Sequence, residues 1–211
     1  MSEFLSNPEY WISLIAVVVS LITLILTYKQ IGQSNKLQLL DRRISKYNLI
    51  CDLVQLYSEN ENLINSANLY LNVKDPFAWL TNNTYLAKLY PAIDRAQSQP
   101  EQNVFLTECE RIVNDGFEIT VVFNGEESKT ASEFVKQYVN LLKLFRKHQI
   151  ALNYLNEENT KTPMLYETYI NKAQECFNEF KINDAVEALD KIYYKMVSEK
   201  ILEKLLKQLK P

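Results

Sequence analysis

An all-α protein with its amino-terminal end rooted in a membrane is the fold class this sequence predicts, on three observations. The run from Trp11 to Tyr28 carries no charge and is apolar but for two serines and two threonines. Glycine occurs only at 32, 116 and 125, while Leu, Lys, Glu, Asn and Tyr are abundant, a composition that favours helix. Past the apolar run, hydrophobic residues recur at three- and four-residue steps in segments separated by short polar joints. Four parts are expected: residues 1–10 outside the membrane, 11–28 crossing it, 29–57 as a juxtamembrane helical stalk and 58–211 as a cytosolic helical bundle.

A helix rises ~1.5 Å per residue and a bilayer's hydrocarbon core is ~30 Å thick, so roughly twenty apolar residues span it. The Trp11 to Tyr28 run just reaches that length, with aromatic residues at both ends where interfacial anchors belong. Within it Ser13, Ala16, Ser20, Thr23 and Thr27 alternate by three and four residues and keep to one helix face; the same phase meets Ser6 and Ser34 beyond the ends. Small residues let membrane helices approach closely, so this face is expected to be an oligomer interface or a pore lining. The bland alternative is hydroxyls bonded back to their own helix carbonyls. Glu3 and Glu9 precede the run without any Lys or Arg, unlike a cleaved signal peptide. Lys29, Lys36, Arg42, Arg43 and Lys46 follow it, which predicts an uncleaved anchor, amino terminus outside and carboxyl terminus in the cytosol. Trp11, Tyr28, Lys29, Arg42 and Arg43 are the expected membrane-anchoring residues.

The helix is expected to continue past the membrane, because Leu40, Ile44, Tyr47, Ile50, Val54 and Tyr57 hold one face, with Gly32 the single weak point. Ser58 and Glu61 have capping-box spacing and either start a new helix or re-cap the old one; it runs to about Asn72 and Asp75-Pro76 ends it. Residues 76–100 read as two short helices and a loop, with a turn at Asn82-Asn83 and an interruption at Pro91. Ser98, Pro100 and Glu101 open a helix that holds Val104, Phe105, Cys109, Ile112 and Val113 on one side and ends near Gly116. Phe117 to Phe123 has the β-branched content of a short strand, but with no partner strand apparent it reads as a buried helix or an extended linker. From Ser128 a long helix presents Phe134, Tyr138, Leu141, Leu142, Phe145, Leu152 and Leu155 on one broad face, and stops in the polar run Asn156 to Thr162. Thr162-Pro163 starts the next helix, and Asn183-Asp184 starts the last, which reaches almost to Pro211.

The composition excludes several kinds of chemistry. His148 is the only histidine, so no site can use two imidazoles, and zinc-protease chemistry is out. Phosphate-cradling loops and nucleophile elbows need clustered glycines that this chain lacks. Cys51, Cys109 and Cys176 are far apart and odd in number, which fits three separate thiols in a reducing cytosol. Glu126-Glu127 and Glu157-Glu158 sit in polar joints where solvated carboxylates are ordinary. The formal net charge of −3 gives no strong nucleic-acid signal. No metal, no cofactor and no enzymatic activity are expected. In the tail, Lys191, Lys195, Lys200, Lys204, Lys207 and Lys210 alternate with Ile192, Met196, Ile201, Leu202, Leu205, Leu206 and Leu209, against only Glu199 and Glu203. That pattern suits a closing bundle helix or one lying on the inner leaflet.

Two resemblances add to this. Leu39-Leu40-Asp41-Arg42-Arg43, with Tyr47 following, resembles a group of bacterial single-pass proteins in which a membrane helix runs into a Leu-Phe-Asp-Lys-Arg-like segment. Leu40 stands where that pattern has Phe, and Arg42 where it has Lys; the likeness covers roughly the first sixty residues. Some of that group are associated with phage defence. The plan of a membrane helix joined to a helical domain is also similar to the ring-forming membrane accessory proteins of RNA-targeting CRISPR systems, whose helical domain is a divergent HEPN type. HEPN ribonucleases cut RNA with an Arg and a His on one helix. Arg146 and His148 are the only such pair here, although the family sets the two further apart. The resemblances imply a bacterial inner membrane and a defence setting, and with the small-residue face they lead to the expectation of a homo-oligomeric effector that forms or gates a pore in membrane lipid, with a cytosolic defence-system protein as partner. A membrane-tethered scaffold for a cytosolic protein is the alternative, and a HEPN-like ribonuclease the third.

Overall fold

The computed structural model describes residues 8–209, and every regular element among them is helical. Residues 1–7, with Ser6, and Lys210 and Pro211 lie outside the described residues. Eight α-helices follow in order: α1 Pro8–Ser66, α2 Lys74–Thr81, α3 Pro91–Asp94, α4 Gln99–Val122, α5 Glu126–Lys161, α6 Tyr166–Glu179, α7 Ile182–Ser198 and α8 Ile201–Lys207, with a 3₁₀ turn at Ala87–Leu89. The chain divides into two compact units between Arg42 and Arg43.

The first unit is the leading part of α1. Every side chain from Trp11 to Leu39 is exposed. An 18-residue window in α1 reaches a mean hydropathy of 2.4 with none of it buried, so this helix is long and apolar enough to cross a membrane. Gly32 does not interrupt it, and Ser58 and Glu61 lie inside the same helix rather than opening another.

The second unit is a bundle built around α5, which packs against α2, α4, α6, α7 and α8. Its broad apolar face predicts this central place: Phe134, Val135, Tyr138, Leu141, Leu142 and Phe145 are completely buried. Tyr57 of α1 sits among their rings, edge-on to Phe134, Tyr138 and Tyr193 at centroid distances of 6.2, 6.4 and 5.3 Å. Its hydroxyl donates to Asp190 of α7, and the Tyr138 hydroxyl donates to the Leu80 carbonyl at 2.7 Å. The phenols thus fill core volume while their polar ends find partners, as burial requires. A smaller cluster of Leu152, Leu155 and Ala173 joins α5 to α6.

Several expected boundaries move. Leu49, Ile50, Leu53 and Tyr57 are core residues of the bundle, so the segment 29–57 is not uniformly a stalk. Asp75-Pro76 lies in the first turn of α2 instead of ending a helix; backbone N–H groups there have no intrahelical partner to lose, and the Asn72 side chain accepts from the amides of Lys74 and Asp75. Helix α4 runs through Gly116 to Val122, because this glycine serves packing: a Cβ there would lie 3.0 Å from Val135 Cγ1. Gly125, at φ +89°, is the residue that turns the chain between α4 and α5. Thr162-Pro163 lies in the joint before α6, which starts at Tyr166. The expected last helix is two, α7 and α8, because Lys200 adopts a left-handed conformation at φ 53° between them.

Candidate functional site

The stripe residues Ser13, Ala16, Ser20, Thr23 and Thr27 all lie in the exposed part of α1. Ser20 Oγ donates to the Ala16 carbonyl at 2.7 Å, and Thr23 Oγ1 to the Val19 carbonyl at 2.8 Å. Both hydroxyls therefore satisfy themselves within their own helix, the bland arrangement foreseen for Ser and Thr. What the stripe then offers a neighbour is chiefly smallness, a strip of short side chains flanked by Ile, Leu and Val. Trp11 and Tyr28 are exposed at its two ends, as is Lys29 just beyond.

The two adjacent arginines of the expected anchor separate in role. Arg42 is exposed at the end of the first unit. Arg43 belongs to the bundle: its Nε donates to the Val122 carbonyl at 2.6 Å and its Nη1 to the Gln208 carbonyl at 3.0 Å. Val122 is the last residue of α4, and Gln208 directly follows α8. Carbonyls at helix ends lack intrahelical donors and carry the negative end of the dipole, so one guanidinium closes two helices at once. The guanidinium also lies 6.0 Å from the Phe123 ring centroid. Sequence could not distinguish the pair, since neighbours on a helix point ~100° apart and only one can face the bundle. Lys46, one turn further, pairs with Asp115 and with Glu118 at 2.8 Å on α4. Burial opposes its charge, but these carboxylates outweigh it and hold its pKa above the ordinary lysine value.

Arg146 and His148 are both buried on α5, and their partners lie in different places. Arg146 Nη2 donates to the Ala96 carbonyl at 2.6 Å, with the guanidinium 5.2 Å from the Phe105 ring. His148 Nε2 is 3.0 Å from the Tyr70 carbonyl, and its ring stands edge-on to Phe177 and Phe180. Burial pushes the imidazole pKa down, with the Tyr70 carbonyl only partly opposing it. A buried neutral imidazole and an arginine tied to a backbone carbonyl do not converge on one reacting group. Among the described residues no three His, Cys, Asp or Glu side chains gather as a metal site. Burial also pushes the Cys109 thiol up to about 11, far from the range of a nucleophilic thiolate.

In the tail, Met196, Ile201 and Leu205 are buried while Lys191, Lys195, Lys200, Lys204 and Lys207 face outward. Much of the apolar side of α7 and α8 is thus used by the bundle, while Val197 and Leu206 stay exposed. Comparison of the chain with protein-family models, with curated proteins and with solved structures finds no match.

Proposed function

We propose that this protein is a single-pass anchor of a bacterial inner membrane, amino terminus outside, whose α1 helices associate through the Ser13 to Thr27 face into a homo-oligomer that forms or gates a pore, in the manner of an antiviral defence effector. The supporting observation is the contrast between the two parts of α1: an 18-residue window of mean hydropathy 2.4 with none of it buried, in a helix whose continuation from Leu49 is core. Lipid covers such a surface at no cost to the bundle. The self-bonded hydroxyls of Ser20 and Thr23 favour a close-packed seam, since two helices can meet there without stranding a donor.

Ser20→Leu or Thr23→Leu widens the seam while raising hydrophobicity, so insertion is kept and association is lost. Membrane leak, read by dye or ion flux in cells producing the protein, is expected to disappear in both variants at equal membrane content. Leak equal to that of the parent overturns the proposal. A second reading, a tether that presents the bundle to a cytosolic protein, draws on Phe117 and Val121 of α4. They are 67 % and 68 % exposed, one turn apart on the same face. It predicts that exchanging residues 1–28 for an unrelated anchor preserves function, which the pore proposal forbids.

A further inference from the structure

Two opposite charges at the end of the first unit have no partner within the chain. Asp41 and Arg42 are exposed, and neither side chain makes an ion pair or hydrogen bond among the described residues. A helical residue reaches those three and four positions away, which for Asp41 are Leu37, Gln38, Ile44 and Ser45, none of them basic. No carboxylate stands at the same distances from Arg42. As immediate neighbours the two point about 100° apart and cannot meet each other. The next charges along α1 are engaged in the bundle, Arg43 on two carbonyls and Lys46 on two carboxylates.

Lipid headgroups are also out of reach. Asp41 stands about 20 Å of helix beyond Tyr28, whereas the headgroup layer is only about 5–8 Å deep. What remains is protein, and the register of α1 says which. On an ideal helix Asp41 lies about 40–60° to one side of the line through Ser20 and Thr27, and Arg42 about 40–60° to the other. Copies that share a bilayer and an orientation hold α1 parallel and at one depth. If they meet along that line, the Asp41 flank of one copy faces the Arg42 flank of the next. Leu37, 61 % exposed and one turn before Asp41, is covered in the same contact.

We infer that Asp41 of one copy pairs with Arg42 of a neighbouring copy, a collar of intermolecular ion pairs on the cytosolic side of the membrane that sets the α1 helices in register. This contact rests on the membrane reading, which makes the copies parallel, and adds the flanks that meet outside the bilayer. Opposite charges on the two flanks favour the in-register parallel partner and disfavour others.

Charge exchange tests it in the full-length protein. Asp41→Arg puts two arginines into every contact and Arg42→Asp two aspartates, while the double variant restores one of each. Particle mass is followed by sedimentation through a dilution series in detergent, beside the thermal unfolding midpoint of the bundle. Each single variant is expected to dissociate at a protein concentration about fivefold or more above the parent's. The double variant returns to the parent's value, and the midpoint is unchanged in all three because both positions are exposed. Should a single variant lose fold, recovery of assembly in the double variant over the other single variant decides. Ser20→Cys, cross-linked between copies in membranes above the parent's level, reports the seam within the bilayer separately. Single variants that assemble like the parent, or a double variant no better than they are, overturn the ion pair; cross-linking at position 20 then leaves the membrane reading standing. A monomeric parent without that cross-link overturns both.

Discussion

Arg42 and Arg43 have the same charge and adjacent places, yet within one chain only Arg43 carries structural work. Its guanidinium satisfies the carbonyls of Val122 and Gln208 at the ends of α4 and α8. Hydrogen bonds from a charged donor contribute about 1.5–3 kcal/mol each, so Arg43→Gln is expected to destabilise the bundle by about 2 kcal/mol. Arg42→Gln, at an exposed position, should change stability by no more than about 0.5 kcal/mol. Chemical denaturation of the two variants measures the difference; equal effects would return Arg43 to a purely membrane-facing role. His148 gives a second prediction. Burial depresses its folded pKa below the ordinary 6.5, so the unfolded chain binds the proton more readily. Stability is therefore full above about pH 6.5 and declines as pH falls below it, at most by about 1.4 kcal/mol per pH unit. His148→Gln should flatten the unfolding midpoint between pH 7 and the upper edge of carboxylate titration. Sequence showed that His148 stands alone and Arg146 near it, but not that they serve separate neighbours. That depends on Ala96 and Tyr70, backbone carbonyls whose positions no side-chain pattern encodes.

At the scale of elements, periodicity exposed the helices and local chemistry misplaced their ends. The face of α5 was legible because burial on many sides needs a broad apolar stripe. The break before α8 was obscure because a residue of ordinary helix preference takes the turn: Lys200 adopts a left-handed conformation usually given to glycine. The converse error came from Gly116, which suggests a helix end and instead lies within α4. Its missing Cβ lets α4 approach α5, where Val135 Cγ1 and Cβ would stand 3.0 and 3.1 Å from an added methyl group. Val135 is completely buried and β-branched, so it has little freedom to yield. Gly116→Val is expected to cost about 1–3 kcal/mol by overpacking, despite the better helix preference of the new residue. Adding Val135→Ala opens the space, and the cost of Gly116→Val in that background should shrink. Additive effects in a double-mutant cycle would show that the glycine is not a packing device.

For the whole molecule the decisive feature is that the core closes without the apolar helix. The second unit begins at Arg43, and Leu49, Ile50, Leu53 and Tyr57 supply the share of α1 that the core needs. All the aromatic partners of Tyr57 and both carbonyls capped by Arg43 lie in that unit. A chain beginning at Arg43 is thus expected to fold alone, with a cooperative thermal transition and the helical content of the bundle. Its state of association then separates the two sources of assembly. If the stripe on α1 makes the oligomer, this shortened chain sediments as a monomer, while the full chain in detergent forms a closed multimer. If the exposed Phe117 and Val121 face makes it, the shortened chain self-associates as well, and Val121→Glu disperses both forms. Small residues drive association only where lipid replaces water, because there van der Waals packing is the available gain. A water-facing apolar patch needs no such setting. A monomeric shortened chain beside a multimeric full chain therefore locates assembly in the bilayer, and self-association of the shortened chain refutes the α1 seam as its cause.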